Sequence, residues 1–171
     1  TALNDIHRAG YQLGFSGVQR PDLYADLNQK YQFKFRIQLK NNMLQSDYDR
    51  YPQFHEQHEF IAYGINAGGL KLKPNRYREQ SYLKMRGGDP SQPHPIISKV
   101  QTIIEQANQN TTRPALTTFH EISLLYNYYQ NGINGVLLGA SNPNQLKNSV
   151  NFINTIHKFD YQDVYQNIIS L

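Results

Sequence analysis

The sequence predicts an α/β fold organised around a parallel sheet, on three observations. Four short runs read as strands, and each leads through a loop into a helical pattern. The last of the four, Gly135-Val136-Leu137-Leu138, is continuously apolar, as in a parallel strand covered on both faces. At 171 residues the chain has the length for one well-cored domain and does not ask for two.

The first strand is expected over 12–16, followed by a helix that opens at Pro21-Asp22 and carries Leu23 and Leu27. The second, over 33–38, alternates as a half-buried strand does, and a helix over 48–57 follows it. Asp47 and Asp49 suit the start of that helix, where carboxylates favour the first turn. The third strand is 59–63. A polar stretch over 64–95, with Gly68-Gly69, Gly87-Gly88 and three late prolines, then reads as a long loop, and loops of that length are seldom idle. Two helices follow over 96–108 and 114–129, the first with Ile96, Val100, Ile103 and Ile104 on one side. After the fourth strand, Asn142 is placed as an N-cap and Pro143 as the first helical residue, with Leu146, Val150 and Ile153 at helical spacing. The tail over 156–171 ends in an amphipathic helix carrying Val164, Ile168 and Leu171. Four such units are half of an eight-stranded βα barrel, which needs about 250 residues. They equally suit an open doubly wound sheet of four strands.

Composition narrows the function classes. Seventeen Lys and Arg against 13 Asp and Glu give a net charge of +4, without any block of like charge. That is too small and dispersed to indicate nucleic acid, and the loose cluster Lys71, Lys73, Arg76, Arg78, Lys84 and Arg86 reads as a solvated loop. With no cysteine, neither disulfides nor thiolate metal sites are possible. No apolar run approaches the roughly 18 residues that span a bilayer. A soluble protein is expected, with the cytoplasm as its default place. His55 and His58 stand three apart in His55-Glu56-Gln57-His58, which lacks the spacing of a zinc-binding helix and reads as a solvated helix end. His7, His94, His120 and His157 stand alone, and Tyr126, Tyr128 and Tyr129 read as packing.

The segment 133–154 carries the most chemistry. A strand runs into the small residues Gly139-Ala140-Ser141 and then a capped helix, whose first-turn N–H groups and dipole attract anions. Here Val136-Leu137-Leu138-Gly139-Ala140-Ser141-Asn142 followed by Gln145-Leu146 resembles the eighth-strand segment of the aldo-keto reductases. Gly14-Phe15-Ser16 is similar to that family's fifth-strand motif, and Ile37-Gln38 with Asn42 to its sixth. Ala62-Tyr63 followed by Gly68-Gly69-Leu70 is similar to its seventh. The resemblance implies strands five to eight of a (β/α)8 barrel that uses NADPH, or NADH, to interconvert carbonyls and alcohols. It implies that Ser16 and Gln38 meet the nicotinamide carboxamide and that Tyr63 stacks on the ring. Gly139, Ser141, Asn142 and Gln145 would hold the phosphate end. It further implies a small carbonyl substrate and a partner, the N-terminal half of the barrel, in the same or another chain.

Four departures stand beside the matches. Gly17 replaces the family's usual Asn, Gly64-Ile65 its Ser-Pro, Ser149 an Asn, and Asn142 the basic residue of many NADPH-preferring members. The family's catalytic Asp, Tyr, Lys and His lie on earlier strands to which nothing here corresponds. No catalytic residue is therefore assigned, and the polypeptide alone is expected to be inert. A non-catalytic scaffold or regulatory subunit is the alternative expectation.

Overall fold

A computed structural model describes residues 2–171 as a mixed α/β structure. Strands β1 (Leu13–Ser16), β2 (Phe35–Asn42), β4 (Glu59–Tyr63) and β5 (Gly135–Val136) pair in parallel in the order β1-β2-β4-β5, while β3 (Gln45–Ser46) turns back antiparallel on the end of β2. The parallel strands thus lie side by side in chain order. Right-handed crossovers between neighbours that never reverse direction deliver their connections to one face of the sheet.

Burial follows that rule. Phe35, Ile37 and Leu39 of β2 and Phe60 and Ala62 of β4 are buried, whereas Gly14, Ser16, Arg36 and Gln38 on the opposite face are exposed. Two apolar clusters fill the covered side. One gathers Leu13, Phe35, Ile37 and Phe60 with Phe33, Tyr51 and Phe54. The other joins Ala62 to the helices α4 (Ile96–Ala107), α5 (Phe119–Tyr129), α6 (Pro143–Ile156) and α7 (Gln162–Ile169). The chain also forms α1 (Ala2–Arg8), α2 (Pro21–Tyr31) and the short α3 (Tyr82–Met85).

The expected elements are present with instructive differences. The helix expected over 48–57 is instead two 3-10 turns, Tyr48–Arg50 and Pro52–Phe54. Pro52 has no N–H to donate and drives its predecessor Tyr51 out of the helical region, to φ −120° and ψ 40°. The helix expected from residue 114 begins at Phe119. Thr118 is extended, its side chain accepts from the Glu121 N–H, and the Glu121 carboxylate takes the Thr118 N–H at 2.8 Å, a reciprocal cap. Strand β2 runs four residues beyond its expected end. Strand β5 stops after two residues, and Leu137 is exposed rather than covered on both faces.

Of the apolar residues that mark α2 and α6 in the sequence, Ile153 packs against the core and the others are exposed. Leu23 and Leu27 are 47% and 69% exposed, and Leu146 and Val150 are 48% and 46% exposed. Ser149, Phe152 and Ile156 face the core of α6 instead. No helix among the described residues is long and apolar enough to cross a membrane.

Candidate functional site

Parallel pairing brings three of the expected residues together. Ser16 stands opposite Gln38 in the β1–β2 register, Gln38 opposite Ile61 in β2–β4, and Tyr63 lies two residues past Ile61. Because side chains alternate along a strand, Ser16, Gln38 and Tyr63 share the open face, Ser16 and Tyr63 at the C-terminal ends of β1 and β4 and Gln38 midway along β2. Lys40 stands opposite Tyr63, and its ammonium donates to Gln45 Oε1 at 2.7 Å. Lower on the same face Arg36 pairs with Glu59.

The remaining four residues lie on the segment after β5. Asn134 and Leu137 hold that strand against β4: Asn134 N–H donates to Phe60 O, Phe60 N–H to Asn134 Oδ1, and Leu137 N–H to Ala62 O, each at 2.8 Å. Gly139, Ser141 and Gln145 are exposed and Asn142 is half-buried. A Cβ added at Gly139 would meet nothing, so the space above it is open. Asn142 is the N-cap of α6, as expected, accepting from the Gln145 N–H at 3.0 Å. The Gln145 side chain reaches back to accept from the Ser141 N–H at 2.8 Å. Two amides expected to face an anion are therefore already satisfied within the loop. An anion here meets the other amides of 139–144 or displaces the Gln145 side chain.

Backbone geometry bears on the departures. Gly17 has φ +64°, a left-handed conformation in which Asn is the best tolerated of the larger residues, so either residue suits the turn. Gly64 has φ +65°, and Ser before Pro would be held extended there. The turn after Tyr63 is therefore built for this sequence and not for Ser-Pro.

His120 does not stand alone as its sequence context suggested. Its Nε2 lies 2.7 Å from Ser149 Oγ and its Nδ1 2.9 Å from Asn66 Oδ1, and burial pushes the ring's pKa below its usual value. Ser149, 4% exposed, also donates to Gln145 O at 2.9 Å. No sequence signal linked these residues, since the partners stand 54 and 29 positions from the ring.

The long segment over 64–95 folds back on itself around a recess of about 280 Å³ lined by Leu44, Leu70, Leu72, Tyr77, Leu83 and His94 among others. Lys71 here donates to Arg76 O at 2.8 Å, and burial with Arg78 and Arg76 nearby lowers its pKa. A broader, open recess of about 490 Å³ lies at the other end of the sheet, before β2 and β4, where Lys34, Glu56 and His58 line it. His58, expected to be solvated, packs against Phe35 and Phe54, and its ring nitrogens are buried without hydrogen bonds. Among the described residues no three His, Cys, Asp or Glu could hold a metal. No protein-family model matches this chain, and no curated protein matches it either.

Proposed function

We propose that the chain is the cofactor-binding half of an NAD(P)H-dependent oxidoreductase of the aldo-keto reductase kind, acting on carbonyl or alcohol substrates. A second half-barrel, in the same or another chain, completes it. The observation that carries this reading is the shared open face of Ser16, Gln38 and Tyr63, beside the capped helix start after β5. The chemistry fits: Ser16 and Gln38 offer hydrogen bonds to a carboxamide, Tyr63 offers a ring face, and the 139–144 amides suit phosphate. When bound, the nicotinamide supplies or takes the hydride. This chain's residues orient it and leave the proton chemistry to the other half.

The open face supports completion. Parallel sheets are ordinarily covered on both sides, and a barrel covers the inner side with its own far strands. The exposed Leu23, Leu27, Leu146 and Val150 on the helices after β1 and β5 are apolar surface of the kind that a neighbouring pair of helices would cover. Calorimetric titration of the completed protein with NADPH should show saturable binding of one equivalent, and no heat at millimolar cofactor would overturn the reading.

The second reading, a non-catalytic scaffold or regulatory subunit, is favoured by Gln145 and Ser149 being committed to contacts within the protein. Hydride transfer to any aldehyde by the completed protein would exclude it.

A further inference from the structure

We propose that His120 is a positioning residue that clamps the turn after β4 to the first turns of α6, fixing the separation of the two loops that flank the proposed cofactor groove. What the groove carries rests on the reading above; the clamp itself does not. One arm runs from the ring through Ser149 Oγ to Gln145 O, and from Gln145 to the Ser141 N–H and the Asn142 cap. The other runs to Asn66, whose carbonyl accepts from the Gly69 and Leu70 N–H groups at 2.9 Å each. That turn places Gly64, Ala67, Gly68 and Gly69 at positive φ. A left-handed alanine persists only where its surroundings hold it. Asn66, next to Ala67 and hydrogen-bonded to His120, is such a hold.

Proton accounting makes the ring the centre of the clamp. Ser149 has one hydroxyl proton and gives it to Gln145 O, so its contact with His120 requires an N–H on Nε2. A neutral ring then presents a bare Nδ1, which the Asn66 carboxamide meets with its NH2 after a half-turn. A charged ring presents Nδ1–H, which the same carboxamide meets with its oxygen. Asn at 66 therefore serves both ring states, as an apolar residue would not. Nor is this a hydrolytic triad: Ser149 Oγ is buried and its proton already points at a backbone carbonyl.

The test uses the full chain, with Ser149→Ala, Asn66→Ala and His120→Phe, and two readouts. The first is amide hydrogen exchange at Gly69 and Leu70. Ser149→Ala, on the far side of the ring, should speed it at least tenfold, and unchanged exchange overturns the clamp. The second, in the completed protein, compares NADPH with its halves, nicotinamide mononucleotide and 2',5'-ADP. Each half meets one loop, so His120→Phe should weaken NADPH at least tenfold and each half less than twofold. An equal loss for all three would mean general loosening and would overturn the positioning role. A wild-type protein that binds none of the three defeats the cofactor reading, and the exchange result still decides the clamp.

Discussion

Replacing Gly132 by Ala tests how the connection between α5 and β5 is packed. Gly132 has φ +86°, and a Cβ there would overlap the Tyr48 hydroxyl and lie 2.5 Å from its Cζ. The ring cannot swing away freely, because it stacks on His55 at 3.9 Å and meets Phe60 edge-on at 5.0 Å. A left-handed alanine costs about 1–2 kcal/mol. Forcing a methyl against a packed ring adds about 1–3 kcal/mol. The sum, about 2–5 kcal/mol, lowers the melting temperature of a chain this size by about 4–20 °C. Gly10→Ala is the control: its φ is +88° with nothing within 4 Å, so it carries only the backbone cost. Urea and thermal unfolding followed by circular dichroism measure both variants, and Tyr48→Leu closes a double-mutant cycle. The coupling should return about 1–3 kcal/mol, the contact part alone. Gly132→Ala within about 0.5 kcal/mol of Gly10→Ala, an ordinary additivity error, would refute the packing argument.

Three further outcomes follow from the same structure. Gly14→Ala should cost about 1–3 kcal/mol in urea unfolding, because its Cβ would lie 2.6 Å from the Arg36 carbonyl oxygen across the β1–β2 pair. Asp163→Asn should cost about 0.5–1.5 kcal/mol, since Arg113, its side chain 4% exposed, would exchange a two-oxygen carboxylate for one amide oxygen while keeping the Asp160 carbonyl at 2.8 Å and the Tyr161 ring beneath it, and solvent screens the 59% exposed Asp163. The Arg113 hydrogen bond holds the Asp163 pKa below its ordinary value, so that stability is complete above about pH 4 and is lost as pH falls through the native pKa. Unfolding free energies from pH 2 to 6 should therefore flatten in Asp163→Asn. His120 has its pKa lowered by burial, against a smaller upward pull from Glu121. The unfolded chain then takes the proton first, and stability declines as pH drops below about 6.5 towards the lower native pKa, by at most about 1.4 kcal/mol per pH unit. His120→Phe should remove that slope except for the part due to His58, whose pKa burial also lowers.

Local pattern made some elements legible and left others hidden. Strand 59–63 and the Asn142-Pro143 start of α6 were readable because alternation and capping are written in adjacent residues. The end of β2 was not, since Asn41 looks like a loop residue until Asn127 and Gln130, 86 and 89 positions on, accept from its buried amide. The helix expected over 48–57 breaks into two turns because Pro52 has no N–H to donate and holds Tyr51 out of the helical region. The grouping of Ser16, Gln38 and Tyr63 was implied by the family resemblance and agrees with the strand register, whereas the His120 partners are set by tertiary packing alone.

The exposed apolar residues carry the last step. Leu23, Leu27, Leu146 and Val150, which mark their helices in the sequence, stand exposed, and they sit on the helices that follow the two outermost strands. Leu137, on the rim of the open face, is exposed as well. Apolar side chains are exposed elsewhere too, Leu44, Met85 and Ile169 among them, and single ones need no cause, but these five lie together on the two flanks and the uncovered face of one parallel sheet. Those are the surfaces that four further βα units would bury by closing the sheet on itself. A finished core would cover these side chains, and here they are exposed. Under the half-barrel proposal the residues are core positions whose neighbours belong to the other half.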